Sequence, residues 1–175
     1  PISSSGHLVI VQQHFGLKVP LVFDVSLHVG TLFVVIVAFR KDIIEIVTAL
    51  YKLDFKSEEG RMALYIALGS IPTALIGFLF HDAFQFLFSS TLAVGVALMV
   101  TGFILYLSKL RKDGKELDYL DSLLIGIAQG VAIAPGISRS GITLSTGFLR
   151  EIKKEVVFRY SFLLSIPAVI GGAVM

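Results

Sequence analysis

The sequence predicts an all-α polytopic membrane protein, an inverted-topology repeat with two re-entrant helix–loop–helix segments, present here as a fragment of the full fold. Three observations lead there. Of 175 residues, 55% are apolar and 16% are charged, where an average soluble domain carries roughly 25% charge. Apolar stretches of membrane-crossing length recur along the chain, separated by charged punctuation. One further stretch of crossing length is broken in its middle by Pro135 and Gly136 and carries Arg139 just beyond the break.

The composition also excludes classes. The net charge is +2 and no basic tract or aromatic platform is present, so nucleic acid is not an expected partner. There is no Cys, which removes disulfides and thiol chemistry. The chain starts at Pro1 with no basic leader and stops at Met175 inside an apolar run, so residues 1–175 are expected to form one partial membrane domain of a longer protein.

The expected spans are Leu21–Phe39, Met62–Phe80 and Phe86–Ser108, with a fourth, Tyr160–Met175, cut short. At 1.5 Å per residue a stretch of about 20 residues covers a hydrocarbon core of about 30 Å. Between Lys41 and Arg61, Ile43, Ile44, Val47, Leu50 and Tyr51 recur at helical spacing, which predicts a short amphipathic helix at the interface or an ordinary helical loop. Ser122–Leu149 reads SLLIGIAQGVAIAPGISRSGITLSTGFL. Proline removes a donor and disfavours helix before it, and each flanking half is too short to cross. Broken helices at membrane depth need protein or a wet cavity around them. The expectation is a re-entrant hairpin with Gly136–Gly141 at its tip. Lys and Arg gather at 40–61, 109–115 and 150–159. Those three groups fall on one side of the membrane only if 122–149 enters and returns.

The first residues echo that tip. Ile2-Ser3-Ser4-Ser5-Gly6 aligns with Ile137-Ser138-Arg139-Ser140-Gly141, and Ser70-Ile71-Pro72 pairs with Ser165-Ile166-Pro167. The charge-based topology brings the first tip in from the opposite face to the second. This predicts inverted repeats over about 1–108 and 122–175, the second truncated, with tips meeting near the midplane.

Those tips suit an oxyanion. Arg139 offers a planar five-donor fork, Gly136 and Gly141 let backbone amides approach, and helix N-termini add positive ends. His7 can act as acid, base or ligand. Ser3, Ser4, Ser5, Ser138 and Ser140 can donate to phosphate or serve as a nucleophile beside a base. Plainer readings stand beside these. Arg139 can be a counter-ion for Asp24, His7 a boundary residue, and the serines packing groups. Asp24 and His28 share a helix face and either pair or line a cavity, and Gln129 is a candidate cavity residue. From these residues alone, a phosphatase and a transporter or flippase for a phosphorylated lipid or solute remain close rivals. A structural scaffold is the third alternative.

The pieces PISSSGH at 1–7, FDVSLHVGTLFVVIVAFRKD at 23–42, APGISRSGITLSTG at 134–147 and RYSFLLSIPAVIGG at 159–172 resemble the undecaprenyl-diphosphate phosphatases of the bacitracin-resistance type. The resemblance covers essentially the whole chain. It implies an integral membrane hydrolase that removes the terminal phosphate of undecaprenyl diphosphate and so recycles the lipid carrier for cell-envelope glycans. It also implies a homodimer in the cytoplasmic membrane, a site open to the outer face, and a divalent cation, Mg2+ or Ca2+. Carried across by motif, His7, Ser4 and Arg139 are catalytic. Ser3, Ser5, Gly6, Gly136, Ser138, Ser140 and Gly141 bind substrate. Ser4 is the preferred nucleophile over Ser3 or Ser138, with water prepared by His7 or a glutamate as the other route. The family's metal-using glutamates are expected before Pro1, so this chain holds no metal ligands of its own and is expected to be inactive alone. Arg139→Ala should then abolish hydrolysis and Arg150→Ala should not.

Overall fold

The computed structural model describes residues 3–17, 21–88, 90–109 and 114–174, and within these the side chains at 21–25 and 173–174 fall outside the description. The described residues form helices α1 Ser4–His14, α2 Leu21–Ala38, α3 Arg40–Tyr51, α4 Glu58–Leu79, α5 His81–Phe88, α6 Thr91–Ser108, α7 Tyr119–Val131, α8 Arg139–Leu149 and α9 Lys154–Val174. No strand is present among them. Among the described residues three stretches are long and apolar enough to cross a membrane: Glu58–Leu79, Thr91–Ser108 and Lys154–Gly172. The described apolar part of α2, Ser26–Ala38, is shorter.

Several boundaries differ from the sequence expectation. The stretch 86–108 is not one helix. Phe86–Phe88 close α5, and Ser90 starts α6 by accepting from the Ala93 amide at 3.3 Å. A serine at that position satisfies an amide that otherwise has no helical partner. Likewise Ser57 caps α4 at Glu58, four residues before the apolar run begins at Met62. The break in 122–149 is where expected, but its tip runs over 132–138. Arg139, Ser140 and Gly141 are already in the first turn of α8, because the Ser138 hydroxyl caps the Gly141 amide at 3.2 Å.

Helices α7 and α8 form a hairpin whose far ends meet. Asp121, in the first turn of α7 and fully buried, accepts from Arg150 Nε at 2.7 Å and pairs with Lys115 Nζ at 2.7 Å. Arg150 directly follows α8. The connecting chains are stitched by backbone bonds, Lys115 N–H to Glu151 O at 2.9 Å and Lys153 N–H to Lys115 O at 3.0 Å. Asp118 and Asp121 cap α7 reciprocally. The Asp121 amide, together with Lys115, holds the Asp118 carboxyl below its usual range, and Asp121 raises the Lys115 ammonium. Arg150→Ala is therefore not the inert control that sequence suggests, since it strips a partner from a buried carboxylate.

The core lies between α4, α7, α8 and α9, with Tyr65, Ile125, Leu144, Val157, Tyr160 and Leu164 at its centre. Its polar groups are tied across helices. The Ser122 hydroxyl donates to Tyr65 O at 2.6 Å, and Thr73 Oγ1 donates to Gly126 O at 2.8 Å. Gln129, expected at a cavity, is instead buried in this core, where it donates to Thr73 Oγ1 at 3.3 Å and to Leu164 O at 3.4 Å. Helix α3 packs on α4 through Ile46 and Ala49 and leaves Ile44, Val47 and Tyr51 exposed on its other side.

Candidate functional site

Two short helices start in the same way. Ser3 precedes α1 and its hydroxyl accepts from the Gly6 amide at 3.4 Å, as Ser138 does for Gly141 before α8. Each helix is 11 residues long. The sequence echo is thus a repeated cap, serine at the start and glycine three residues on. The second echo places Pro72 inside α4 and Pro167 inside α9. Helices α2 and α3 separate α1 from α4, whereas α9 directly follows α8, so the two echoes do not share one register.

The two starting points touch. A Cβ at Gly6 would stand 2.8 Å from Gly136 Cα, so the two backbones meet with no room for a side chain. Gly136 has φ +91, a conformation that L side chains rarely adopt. A Cβ there would also strike Val94 O at 2.5 Å and the Ala97 methyl at 2.9 Å. The junction rests on the middle of α6, where Thr101 Oγ1 donates to Gly136 O at 3.3 Å and accepts from the Ser138 amide at 3.2 Å.

From that junction the short helices run to opposite ends of α6. The Thr91 hydroxyl, at the start of α6, donates to the Gln13 side chain near the end of α1. The Ser145 hydroxyl, along α8, donates to Ser108 at the end of α6 at 3.4 Å. Thr101 lies about 15 Å along α6 from Thr91 and about 10 Å from Ser108. Two helix N-termini therefore face each other at mid-length of a helix long enough to cross a membrane.

Beside α1 opens a cavity of about 450 Å3, walled by Ser4, His7, Leu8 and Val11 on one side and by Leu27, His28 and Thr31 of α2 on the other. That is within the range of ligand sites. His7 Nδ1 lies 2.9 Å from Ser3 O. A carbonyl can only accept, so Nδ1 is the donor, and in the neutral imidazole Nε2 is then the acceptor. Ser3, which carries this carbonyl, has φ +59. Thr31 Oγ1 donates to Leu27 O at 2.9 Å.

Arg139 is not among the residues of that cavity wall. Its Nη1 is buried without a hydrogen-bond partner among the described residues, a costly state for a guanidinium unless something anionic meets it. A pairing with Asp24 involves a side chain outside the described residues, as do Pro1 and Ile2 of the first motif. Ser3, Gly6, Gly136, Ser138 and Gly141 are buried at the junction, Ser5 and Ser140 are half-buried, and Ser4 and His7 are exposed to the cavity. Sequence reasoning missed Thr101. Its signal was a lone hydroxyl in the middle of an apolar span.

Among the described residues no three His, Asp or Glu gather to hold a metal. The cavity offers imidazoles and hydroxyls but no described carboxylate, which does not suit Mg2+ or Ca2+.

These features define a membrane protein, helical throughout its described residues, in which the N-termini of two short helices converge beside a largely apolar cavity that carries imidazoles and hydroxyls. The chain belongs to the family described as bacitracin resistance protein BacA, whose model matches residues 1–175. It is 44% identical over 180 residues to an undecaprenyl-diphosphatase of Carboxydothermus hydrogenoformans, covering 100% of this chain and 66% of that protein. It is 43% identical over 193 residues to one of Methanosphaera stadtmanae, covering 100% of this chain and 70% of that protein. It is 40% identical over 183 residues to one of Korarchaeum cryptofilum, with the same coverages of 100% and 70%. The chain spans about two thirds of the length of these relatives.

Proposed function

We propose that the protein carrying this chain hydrolyses undecaprenyl diphosphate to undecaprenyl phosphate and inorganic phosphate, recycling a lipid carrier for cell-envelope glycans. The observation that carries the reading is the meeting of two short helices near their N-termini at Gly6 and Gly136, with an Arg139 nitrogen that has no partner among the described residues in the first turn of one and His7 in the first two turns of the other. Helix N-termini and a guanidinium are complementary to a diphosphate. The family membership and the names of the relatives agree with this chemistry.

Arg139, with the positive N-terminal ends of α1 and α8, holds the diphosphate and balances charge on the transferring phosphoryl group. His7 Nε2 takes the proton from the Ser4 hydroxyl or from water. The oxygen so activated attacks the distal phosphorus, and the bridging P–O bond breaks to release undecaprenyl phosphate. With Ser4 as nucleophile, water then cleaves the phosphoserine. Leu8, Val11 and Leu27 give the cavity an apolar flank on which the prenyl chain rests. No step relies on a metal ion. A divalent cation enters this reading only with carboxylates from outside the chain.

Helices α7–α8 are re-entrant in this reading, and α1 is the inward half of its counterpart from the opposite face. The hairpin closure at Asp121–Arg150 and the opposite courses of α1 and α8 along α6 support it. The cell membrane as location, a site facing the outer side and a homodimer belong to the same reading. The last rests on the family resemblance alone.

The test is phosphate release from undecaprenyl diphosphate by full-length protein in detergent. Arg139→Ala should lower it on the order of 10²–10³-fold. Lys52→Ala, an exposed cation after α3, should leave it unchanged. Equal release from the wild type and Arg139→Ala would overturn the assignment.

A further inference from the structure

We propose that Thr101 of α6 is a positioning residue for the reaction, setting where Arg139 stands relative to His7. The inference rests on the phosphatase reading above and adds a residue to it. Thr101 is buried on the face of α6 that also presents Val94 and Ala97 to the hairpin tip. Its one hydroxyl does two tasks. It donates to Gly136 O and accepts from Ser138 N–H, at 3.3 and 3.2 Å. The hydroxyl thus clasps the chain on both sides of Ile137, immediately before Arg139.

Gly136 also packs closely against Val94 and Ala97, and the hydroxyl adds the directional bonds to that packing. Gly136 sits at φ +91, and the Ile137 amide turns back to Ala134 O at 3.2 Å. On its far side Gly136 meets Gly6, one residue before His7. The chain of contact is therefore α6 to Gly136 to Gly6, with Arg139 three residues along one arm and His7 one residue along the other. A shift of the tip on α6 changes the Arg139–His7 separation directly. Misplacement of a reacting group by about 1 Å costs about 10²-fold in rate.

The hydroxyl, not the bulk, is the working group. Thr101→Val keeps the shape and removes both bonds, Thr101→Ser keeps both bonds, and Thr101→Cys keeps a weak donor. Each is made in the full-length protein and assayed for phosphate release from undecaprenyl diphosphate, alone and together with Arg139→Lys. Thr101→Val should lower kcat/KM about 10–100-fold, mostly through kcat, with Thr101→Ser within about threefold of wild type. In the Arg139→Lys background the Thr101→Val penalty should shrink to threefold or less, because a displaced tip has no guanidinium left to misplace.

A purely structural role predicts the same penalty in both backgrounds, and that result overturns the proposal. So does wild-type kcat/KM for Thr101→Val. Should Thr101→Val fail to accumulate, Thr101→Cys decides against Thr101→Ser. Loss in the first and retention in the second supports the clasp, and equal activity overturns it. No phosphate release from the wild type would instead sink the phosphatase reading itself, so the two failures are distinct.

Discussion

Replacing Gly6 by alanine tests the meeting of the two short helices with the smallest possible perturbation. The added methyl would lie 2.8 Å from Gly136 Cα and 3.2 Å from Gly136 N. Carbon atoms rest at about 3.5–4.0 Å, so the backbones must part by about 1 Å. Gly136 has no room to withdraw. A Cβ on it would already collide with Val94 O at 2.5 Å and with the Ala97 methyl at 2.9 Å. Helix α1 must therefore move away and carry His7 with it. Overpacking of this size costs about 1–3 kcal/mol, while alanine in a helix returns up to about 1 kcal/mol over glycine. The net stability loss is then about 0–2 kcal/mol, too small to prevent folding. Activity is the sharper readout, since about 1 Å of misplacement costs about 10²-fold. Phosphate release and thermal unfolding of full-length Gly6→Ala should be compared with Gly102→Ala, a site on α6 where nothing lies within 4 Å. Gly102→Ala should match wild type in turnover and unfold no earlier than wild type. Wild-type turnover in Gly6→Ala would refute the close contact of the tips.

The opposite end of the hairpin gives two more expected outcomes. Asp121→Ala removes the buried carboxylate that the partly exposed Arg150 and Lys115 share, and losing hydrogen bonds to a charged group costs about 1.5–3 kcal/mol. A clear fall in the unfolding midpoint is expected, larger than for Glu116→Ala, which removes only the exposed partner of Lys153. Asp118→Ala should cost about 1 kcal/mol at neutral pH by removing the α7 cap. Because the folded Asp118 carboxyl is held below its usual range, first by the Asp121 amide and then by Lys115, that contribution is complete above the unfolded carboxylate value of about 3.9 and is lost as pH falls through the lower folded value. Unfolding curves of wild type and Asp118→Ala should therefore converge in strong acid and be fully separated by about pH 4–5.

Much was legible in the chain itself. The alternation of apolar runs with charge placed α2 and α4 to within four residues and α6 and α9 to within six. Pro135-Gly136 located the break between α7 and α8, because proline and glycine act on the backbone wherever they stand. The serine–glycine echo of residues 3–6 and 138–141 was readable as well. A helix cap is local, three residues long and written in side-chain chemistry. The start of α6 at Thr91 was obscured because Phe86–Phe88 are as apolar as the helix after them. Hydropathy does not register a cap such as Ser90 inside an apolar run.

Tertiary structure alone decided which distant groups meet. That Gly6 touches Gly136, that Thr101 clasps the turn before Arg139, and that Arg150 reaches Asp121 are contacts between residues 29 to 130 positions apart. Composition and spacing report only what neighbours along the chain can do. A glycine in sequence marks a place without a side chain, and the packed helices determine which backbone fills that space. The same holds for Arg139, whose charge is plain in the sequence but whose nitrogen, buried without a partner among the described residues, arises only from the helices that close around it.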